Sequence, residues 1–163
     1  MTPEEILDSL DIHLKKGNDI ELILLKGHLI LEQALNEQLS LHIKEKGKLQ
    51  SLGLMFNKKV DLLVALEDGD PMELVDSVKH LKEINRIRNK LAHQLDFQDY
   101  HKDLKAWACA VLRYTPKTMN RKSTYNNMVR KAFYFLTGAL IGNSYVRMQL
   151  ANEESNKQKQ ADA

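Results

Sequence analysis

The scarcity of chain breakers is the feature that most constrains the fold. The 163 residues include seven Gly and three Pro, too few for the many tight turns of an all-β domain. Apolar residues recur every three to four positions, the period that gives a helix one buried face. With 43% apolar residues, one core of ordinary size can form. The sequence therefore predicts an all-α, up-and-down bundle of about five or six helices over residues 1–151, followed by a disordered tail over 152–163.

Capping signals place the predicted helices along the chain. Thr2 and Pro3, followed by two acids, predict the start of a first helix that ends at Gly17-Asn18. Asp19 predicts the cap of a longer second helix to about Lys46. The remaining predicted helices cover 53–63, 72–95 with an optional break near Ser77, about 99 to 114, and a final helix capped by Ser123.

Cysteine and histidine usage narrows the class of protein. The single cysteine, Cys109, excludes an intramolecular disulfide framework and a Cys-rich zinc site, and it favours a reducing compartment. The acidic start is typical of neither a signal nor a transit peptide, and no apolar run approaches the roughly 18–20 residues of a membrane span. We therefore expect a soluble cytoplasmic protein without membrane contact. No metal or other cofactor is expected, because no metal-ligand spacing occurs among four histidines predicted to lie on the surface: His13, His28, His42 and His101.

The net charge of +2 conceals an uneven distribution. The segment from Leu104 to Asn152 holds eight Lys and Arg residues and no acid, whereas the rest of the chain holds 16 basic and 22 acidic residues. Such a segment suits a polyanion such as RNA, although the acidic part could also neutralise it within the fold. Residues 114–127 interleave basic and aromatic side chains, which suits phosphate contact and base stacking as well as a solvated loop. The candidate RNA contacts there are Lys117, Arg121 and Lys122.

The fourth predicted helix carries the clearest functional signal. At about 100° per residue, its core stripe comprises His80, Ile84, Ile87, Leu91 and Leu95. The opposite side collects a polar set: Lys82, Asn85, Arg86, Asn89 and His93. Because His93 lies almost diametrically away from the apolar stripe, it does not fit a core histidine. A solvated face, a polar protein interface and a catalytic surface stay open.

A catalytic surface built from this set could cleave RNA without a metal ion. His93 can exchange a proton near neutral pH. Asn89, one turn back, can orient the imidazole or a phosphate, and Arg86, two turns back, can neutralise phosphate charge. Arg88 has the same capacity but starts about 140° from His93. Its long side chain, a helix distortion or a partner chain would have to close that gap.

The same residues carry a resemblance to a known family. The run R-N-K-L-A-H over 88–93 matches the R-(polar)-x3-5-H signature of the HEPN superfamily, and residues 84–93 resemble its I-N-x-x-R-N-x-x-A-H form. Residues 53–63 are similar to the helix that often precedes the motif. Residues 29–35 resemble the family's early helix, with Glu32 as the embedded acid. The resemblance covers approximately residues 19–150.

The resemblance implies an α-helical bundle that dimerises so that the two motifs face a shared cleft. Active members are metal-independent endoribonucleases of toxin–antitoxin, phage-defence and RNA-processing systems. Arg88 and His93 would be the catalytic pair and Asn89 its polar companion, with Arg86 and Glu32 as candidate supporting residues. The expected partners are RNA, a second copy of the chain, and an antitoxin or other protein.

Two other functions stay open. Many members of the superfamily are catalytically silent and serve as dimeric binding or regulatory domains. Toxins of the superfamily that are silenced by nucleotidylation carry a tyrosine two residues after the histidine, whereas this chain has Leu95, so that regulation is in doubt. A DNA-binding regulator that uses the basic segment is a weaker alternative, because no helix-turn-helix pattern is recognisable there.

Overall fold

The chain folds as helices joined by short connections in the part that a computed structural model describes, residues 1–15, 19–43, 51–66, 71–93 and 100–161. Within those ranges no strand occurs, so the all-α prediction is confirmed. The described helices are α1 (Pro3–Leu14), α2 (Ile20–His42), α3 (Phe56–Leu66), α4 (Pro71–His93), α5 (Tyr100–Leu112) and α6 (Lys122–Ala161). None of these helices is both long and apolar enough to span a bilayer.

Local capping chemistry starts α1 and α2 where the sequence predicts. The Thr2 side chain accepts from the Glu5 amide at 3.2 Å, while the Glu5 carboxylate accepts from the Thr2 amide at 2.8 Å, a complete capping box. The Asp19 carboxylate accepts from the amides of Glu21 and Leu22. Both starts are therefore set by side chains within three residues of the helix.

The structure decides one open alternative and corrects one prediction for the later helices. α4 is continuous over its whole length, so no break occurs at Ser77. α6 begins at Lys122, which places Ser123 inside its first turn instead of at the cap. The first backbone bond of that turn runs from the Tyr125 amide to the Arg121 carbonyl at 2.9 Å. Arg121 thus holds the position before the helix.

The C-terminal segment is helical where the sequence predicts a disordered tail from residue 152. α6 continues through Ala161, because Glu, Lys, Gln and Ala dominate this stretch and all four have high helix propensity. The predicted end of the first helix at Gly17-Asn18 lies outside the described residues, as does the predicted end of the second near Lys46. Leu95, predicted for the core stripe, lies outside them too.

Helices α5 and α6 run in the same direction, because their contacts advance together along both. The ring centroids of His101 and Tyr125 are 5.8 Å apart, and those of Trp107 and Phe133 are 5.0 Å apart. The connection over 113–121 therefore returns along α5. Nine extended residues reach about 30 Å, more than the roughly 20 Å length of a 13-residue helix.

Helices α2 and α3 also run in the same direction. His28 contacts Phe56, with ring centroids 4.4 Å apart, and Glu32 further along α2 pairs with Lys59 further along α3. Consecutive helices in an up-and-down bundle alternate in direction, so that part of the prediction is wrong at both places. The connections between α2 and α3 and between α5 and α6 are each long enough to run back along the preceding helix. The local sequence does not indicate that they take this path.

One end of the bundle, called the motif end below, gathers the elements that matter for function. α5 runs antiparallel to α4, because Arg86 donates to Asp103 at 2.7 Å, while the later Trp107 of α5 donates through its indole to the carbonyl of the earlier His80 of α4 at 3.0 Å. The last residue of α4, His93, and the first of α5, Tyr100, therefore lie at the same end. The Tyr100 hydroxyl donates to the Glu21 carboxylate at 3.0 Å, which brings the start of α2 to this end.

The core joins apolar residues of all six described helices into one cluster. Ile84 and Ile87 of the predicted α4 stripe are fully buried, whereas Leu91 packs against the cluster from a partly buried position. The apolar period thus identifies the buried face of α4. This packing turns the last two turns of α4, which carry the motif, toward the surface at the motif end.

Candidate functional site

The motif residues occupy the last two turns of α4, but they do not form one cluster within the chain. Arg88 and Asn89 are partly buried, and the Arg88 guanidinium donates to the Asn89 side-chain oxygen at 3.0 Å. His93 is exposed and makes no hydrogen bond or ion pair with any described residue. Helix geometry separates Arg88 from His93 by about 140° and about 7.5 Å of rise. The structure therefore brings Arg88 to Asn89 and leaves His93 apart.

Arg86 is held by two carboxylates. Its guanidinium donates to Glu83 at 2.6 and 2.9 Å and to Asp103 of α5 at 2.7 Å. These bonds raise the pKa of Arg86 and hold the pKa of the Glu83 carboxyl below its usual range. Arg86 therefore ties α4 to α5, and its positive charge is already offset before a substrate phosphate could arrive.

Glu32 is held by a lysine, not by the motif. Its carboxylate accepts from the Lys59 ammonium at 2.6 Å, a partly buried ion pair between α2 and α3. Glu32 follows His28 by one turn of α2, and its negative charge acts to raise the pKa of the His28 imidazole. It thus lies near the motif helix, while its carboxylate binds neither Arg88 nor His93.

A buried network of hydrogen bonds links the motif helix, α4, to α2 and α3. The His28 imidazole Nε2 donates to the Asn85 side-chain oxygen at 3.0 Å, and the Asn85 side-chain nitrogen donates to the Asn57 oxygen at 3.0 Å. Because the Asn85 nitrogen is the donor to Asn57, the Asn85 oxygen is the acceptor from His28, which fixes the imidazole proton on Nε2. These three residues, named the His28 network, connect α2, α4 and α3.

The positions of His28 and Asn85 correct two predictions from the sequence. His28 is 4% exposed and Asn85 is 6% exposed, although the sequence predicts a surface histidine and a residue on the polar face. Asn85 starts about 100° from Ile84, at the edge of the apolar stripe, and α2 and α3 cover that edge. A buried pair of this kind fixes the rotation of α4, because any turn about its axis would leave both groups unsatisfied.

Burial of His28 makes the stability of the fold depend on pH. Desolvation lowers the pKa of His28, helped by the positive charge of Arg88 and opposed by the bond to Asn85. In the unfolded chain, the imidazole takes up its proton near pH 6.5, whereas the folded chain does so only at lower pH. The contribution of His28 to the free energy of unfolding is therefore fully present above about pH 6.5. It falls as the pH drops from there through the folded-state pKa.

We expect the His28→Gln variant to lose less stability than the parent between about pH 7.5 and about pH 5.5, on either side of the ordinary imidazole pKa. Each unit of pKa separation removed is worth about 1.4 kcal/mol. Urea unfolding at both pH values measures the difference. The matched variant His13→Gln replaces an exposed histidine of α1 and should keep the parent's pH dependence. Equal pH dependence in His28→Gln and the parent would contradict the prediction.

The three candidate RNA-contacting residues are exposed to solvent. Lys117, Arg121 and Lys122 make no ion pair with a carboxylate in the described part of the chain. Lys122, the first residue of α6, lies at the motif end, where it lines a pocket with Tyr100. Tyr125 is 6% exposed, so its ring belongs to the core and is not an open surface for base stacking.

The acidic part of the chain neutralises only some of the basic segment. Arg113, which follows α5 with a left-handed φ of 58°, pairs with Asp76 of α4 at 2.9 Å. Lys105 directs its ammonium toward the Tyr125 ring, 5.3 Å from the centroid. Neutralisation within the fold is therefore seen for Arg113, whereas binding of RNA by the exposed basic residues stays a prediction.

The described residues contain no group of three or more His, Cys, Asp or Glu side chains that could hold a metal ion. Comparisons of the chain with protein-family models, curated proteins and solved structures found no match. The side-chain geometry at the motif end is therefore what bears on function.

Proposed function

We propose that the protein is a homodimeric, metal-independent endoribonuclease of the HEPN type that acts in a toxin–antitoxin, phage-defence or RNA-processing system. One observation carries the proposal. The end of α4 presents an exposed imidazole, His93, together with a guanidinium, Arg88, that is steadied by Asn89 and bound to no carboxylate among the described residues. A proton acceptor and a fixed cation are the two groups that RNA cleavage without metal requires.

The chemistry assigned to these groups balances without a cofactor. His93 removes the proton of a ribose 2′-hydroxyl, and the resulting oxygen attacks the adjacent phosphorus. Arg88 stabilises the negative charge on the phosphoryl oxygens at the five-coordinate phosphorus. The 5′-oxygen leaves and takes a proton from a second imidazolium or from water. The products are a 2′,3′-cyclic phosphate and a 5′-hydroxyl.

An exposed apolar stripe supports the homodimer. Leu22, Leu25 and Leu29 are exposed on one side of α2, within about 60° of one another. The stripe adjoins the α2 face that carries His28, which packs against the motif helix. Burial of these leucines against a second copy would be favourable at roughly 25 cal/mol per Å². It would also bring a second motif toward the gap between Arg88 and His93.

A second candidate function is a catalytically silent HEPN-like dimeric domain that binds or regulates an antitoxin or other protein partner. One observation favours it. No described carboxylate or amide holds the imidazole of His93, whereas general bases are usually oriented by such a partner. A silent domain needs an exposed polar helix end for binding but no oriented base.

Incubation of the purified protein with single-stranded RNA in excess EDTA tests the proposal. We expect cleavage that yields 2′,3′-cyclic phosphate and 5′-hydroxyl ends, because no step uses a metal ion. The matched control is the same RNA with a 2′-O-methyl group at the cleavage position, which removes the attacking oxygen and should stay intact. Cleavage of DNA, or cleavage that stops in EDTA, would contradict the proposal. No cleavage by stoichiometric protein would favour the silent domain.

A further inference from the structure

A second feature at the motif end is a pocket separate from the Arg88 and His93 pair. It is open to the surface, encloses about 510 Å³ and is framed by the first turns of α2, α5 and α6. Its volume falls within the roughly 300–1,000 Å³ that small-molecule sites occupy. The charged and aromatic side chains that line it are Asp19, Glu21, Tyr100, His101, Lys105, Lys122 and Tyr125.

One wall of the pocket is an aromatic stack that ends in His101. The His101 ring lies 3.9 Å from the Tyr100 ring at an interplanar angle of 32°, and it meets the Tyr125 ring edge-on. The Tyr125 hydroxyl and the His101 Nδ1 are 3.2 Å apart. Both tyrosines are buried, whereas His101 is exposed. His101 is therefore the ring of this stack that a ligand can reach.

The electrostatic surroundings make His101 a suitable partner for a nucleobase. Burial lowers the pKa of the His101 imidazole, and the positive charge of Lys105 lowers it further, while Glu21 opposes both. The neutral ring is thus the favoured form at pH 7. A neutral aromatic ring that is backed by a second ring offers a flat surface on which any base can stack.

The remaining walls carry both signs of charge. Lys105 and Lys122 provide two ammonium groups, and Lys122 has no carboxylate partner among the described residues. The Glu21 carboxylate already accepts from the Tyr100 hydroxyl at 3.0 Å and retains further acceptor sites. The Asp19 carboxylate also lines the pocket and accepts from the amides of Glu21 and Leu22 at the start of α2. Two carboxylates would repel a polyphosphate, whereas an aromatic base with N–H donors, joined to one phosphate, matches the ring, the ammonium groups and the free acceptor sites.

We propose that this pocket binds one nucleotide of single-stranded RNA, with the base against His101, its phosphate at Lys105 and Lys122, and base N–H donors directed to Glu21. The assignment of RNA as the ligand rests on the proposed function. The pocket and His93 lie at the same end of the bundle, so one strand that crosses this end can contact both. The pocket would then hold a nucleotide beside the cleaved bond and act in substrate binding.

Binding of an RNA blocked by 2′-O-methyl groups tests the pocket without any cleavage. We expect His101→Ala to weaken binding about five- to 150-fold, the range that the loss of one base stack implies, and Lys122→Glu to weaken it through the lost phosphate contact. Fluorescence anisotropy measures the dissociation constants. The control Lys131→Glu makes the same charge change at an exposed lysine nine residues further along α6. Lys131→Glu should weaken RNA binding less than Lys122→Glu. The Lys122→Glu variant should keep its fold, because an acid in the first turn of a helix is favourable.

A mononucleotide titration followed by NMR supplies a second readout. A nucleoside 5′-monophosphate should shift the imidazole C–H resonances of His101. Unchanged binding of the blocked RNA by His101→Ala, or equal weakening by Lys122→Glu and Lys131→Glu, would overturn the proposal and indicate nonspecific attraction of RNA. If the protein cuts no RNA but the mononucleotide shifts the His101 resonances, the nucleotide pocket is supported and the nuclease proposal is contradicted. If the parent and both pocket variants cut RNA with the same KM, the nuclease proposal is supported and the nucleotide pocket is contradicted.

Discussion

Replacement of His93 by alanine should lower the rate of RNA cleavage at least about a hundredfold and as much as ten-thousandfold, the contribution typical of one general acid–base group. The imidazole of His93 is the proposed acceptor of the 2′-hydroxyl proton. Because the side chain is exposed and makes no hydrogen bond or ion pair with a described residue, the melting temperature should stay close to that of the parent. Loss of cleavage without loss of fold would separate chemistry from stability.

Arg88→Ala should reduce cleavage by a comparable factor, because the charge on the five-coordinate phosphorus would lose its cation. Arg88→Lys keeps the charge but loses the planar fork of donors, so we expect only partial recovery. The exposed histidine variant His13→Ala serves as the matched control and should cut RNA as fast as the parent. Parent-like rates in His93→Ala or Arg88→Ala, measured with gel-resolved RNA in EDTA, would exclude the proposed nuclease.

Mixtures of the two inactive variants test how the gap between the motif residues is closed. If Arg88 of one chain works with His93 of the other, a dimer of one Arg88→Ala chain and one His93→Ala chain holds one intact centre and recovers part of the parent rate. If the centre forms within a chain, neither subunit is complete and the mixture stays inactive. An inactive mixture would therefore contradict the shared cleft while leaving the reaction in place.

Local chemistry explains which parts of the fold the sequence predicts. The caps at Thr2 and Asp19 involve partners within three residues, and the buried stripe of α4 follows from helical period alone. Helix direction was not predictable in this way. The contact between Trp107 and Phe133 that makes α5 and α6 parallel depends on the path of a connection whose length permits either direction.

The motif residues and their location on α4 were predictable, whereas their supports were not. Arg88 and Asn89 are adjacent in sequence, so their contact is local. His28 and Asn85 are 57 residues apart, and each alone is a polar side chain in an amphipathic helix. A signal was present, because His28 follows the buried Leu24 by one turn and therefore starts near the core face of α2. A histidine and an asparagine at the edges of two apolar stripes can be satisfied by each other, but only the tertiary structure shows the pairing.

Gly27→Ala should lower the free energy of unfolding by about 1–3 kcal/mol, the range typical of overpacked cores, although alanine is the better helix former. A Cβ atom at Gly27 would lie 2.6 Å from three ring atoms of Phe133. Phe133 is fully buried and its ring packs on Trp107, so a shift of the ring would disturb the core. The close approach of α2 to α6 therefore requires glycine at this position.

Gly138→Ala provides the matched control, because a Cβ atom at Gly138 of α6 meets nothing within 4 Å. That variant should be stabilised by up to about 1 kcal/mol, the difference in helix propensity between the two residues. Urea unfolding of both variants measures the contrast, and a Gly27→Ala protein as stable as the parent would contradict it. His28 follows Gly27 directly on α2. A shift of α2 away from α6 would therefore also strain the hydrogen bond from His28 to Asn85, which lies one turn before Arg88 on α4. Gly27→Ala should therefore cut RNA more slowly than Gly138→Ala at temperatures where both remain folded.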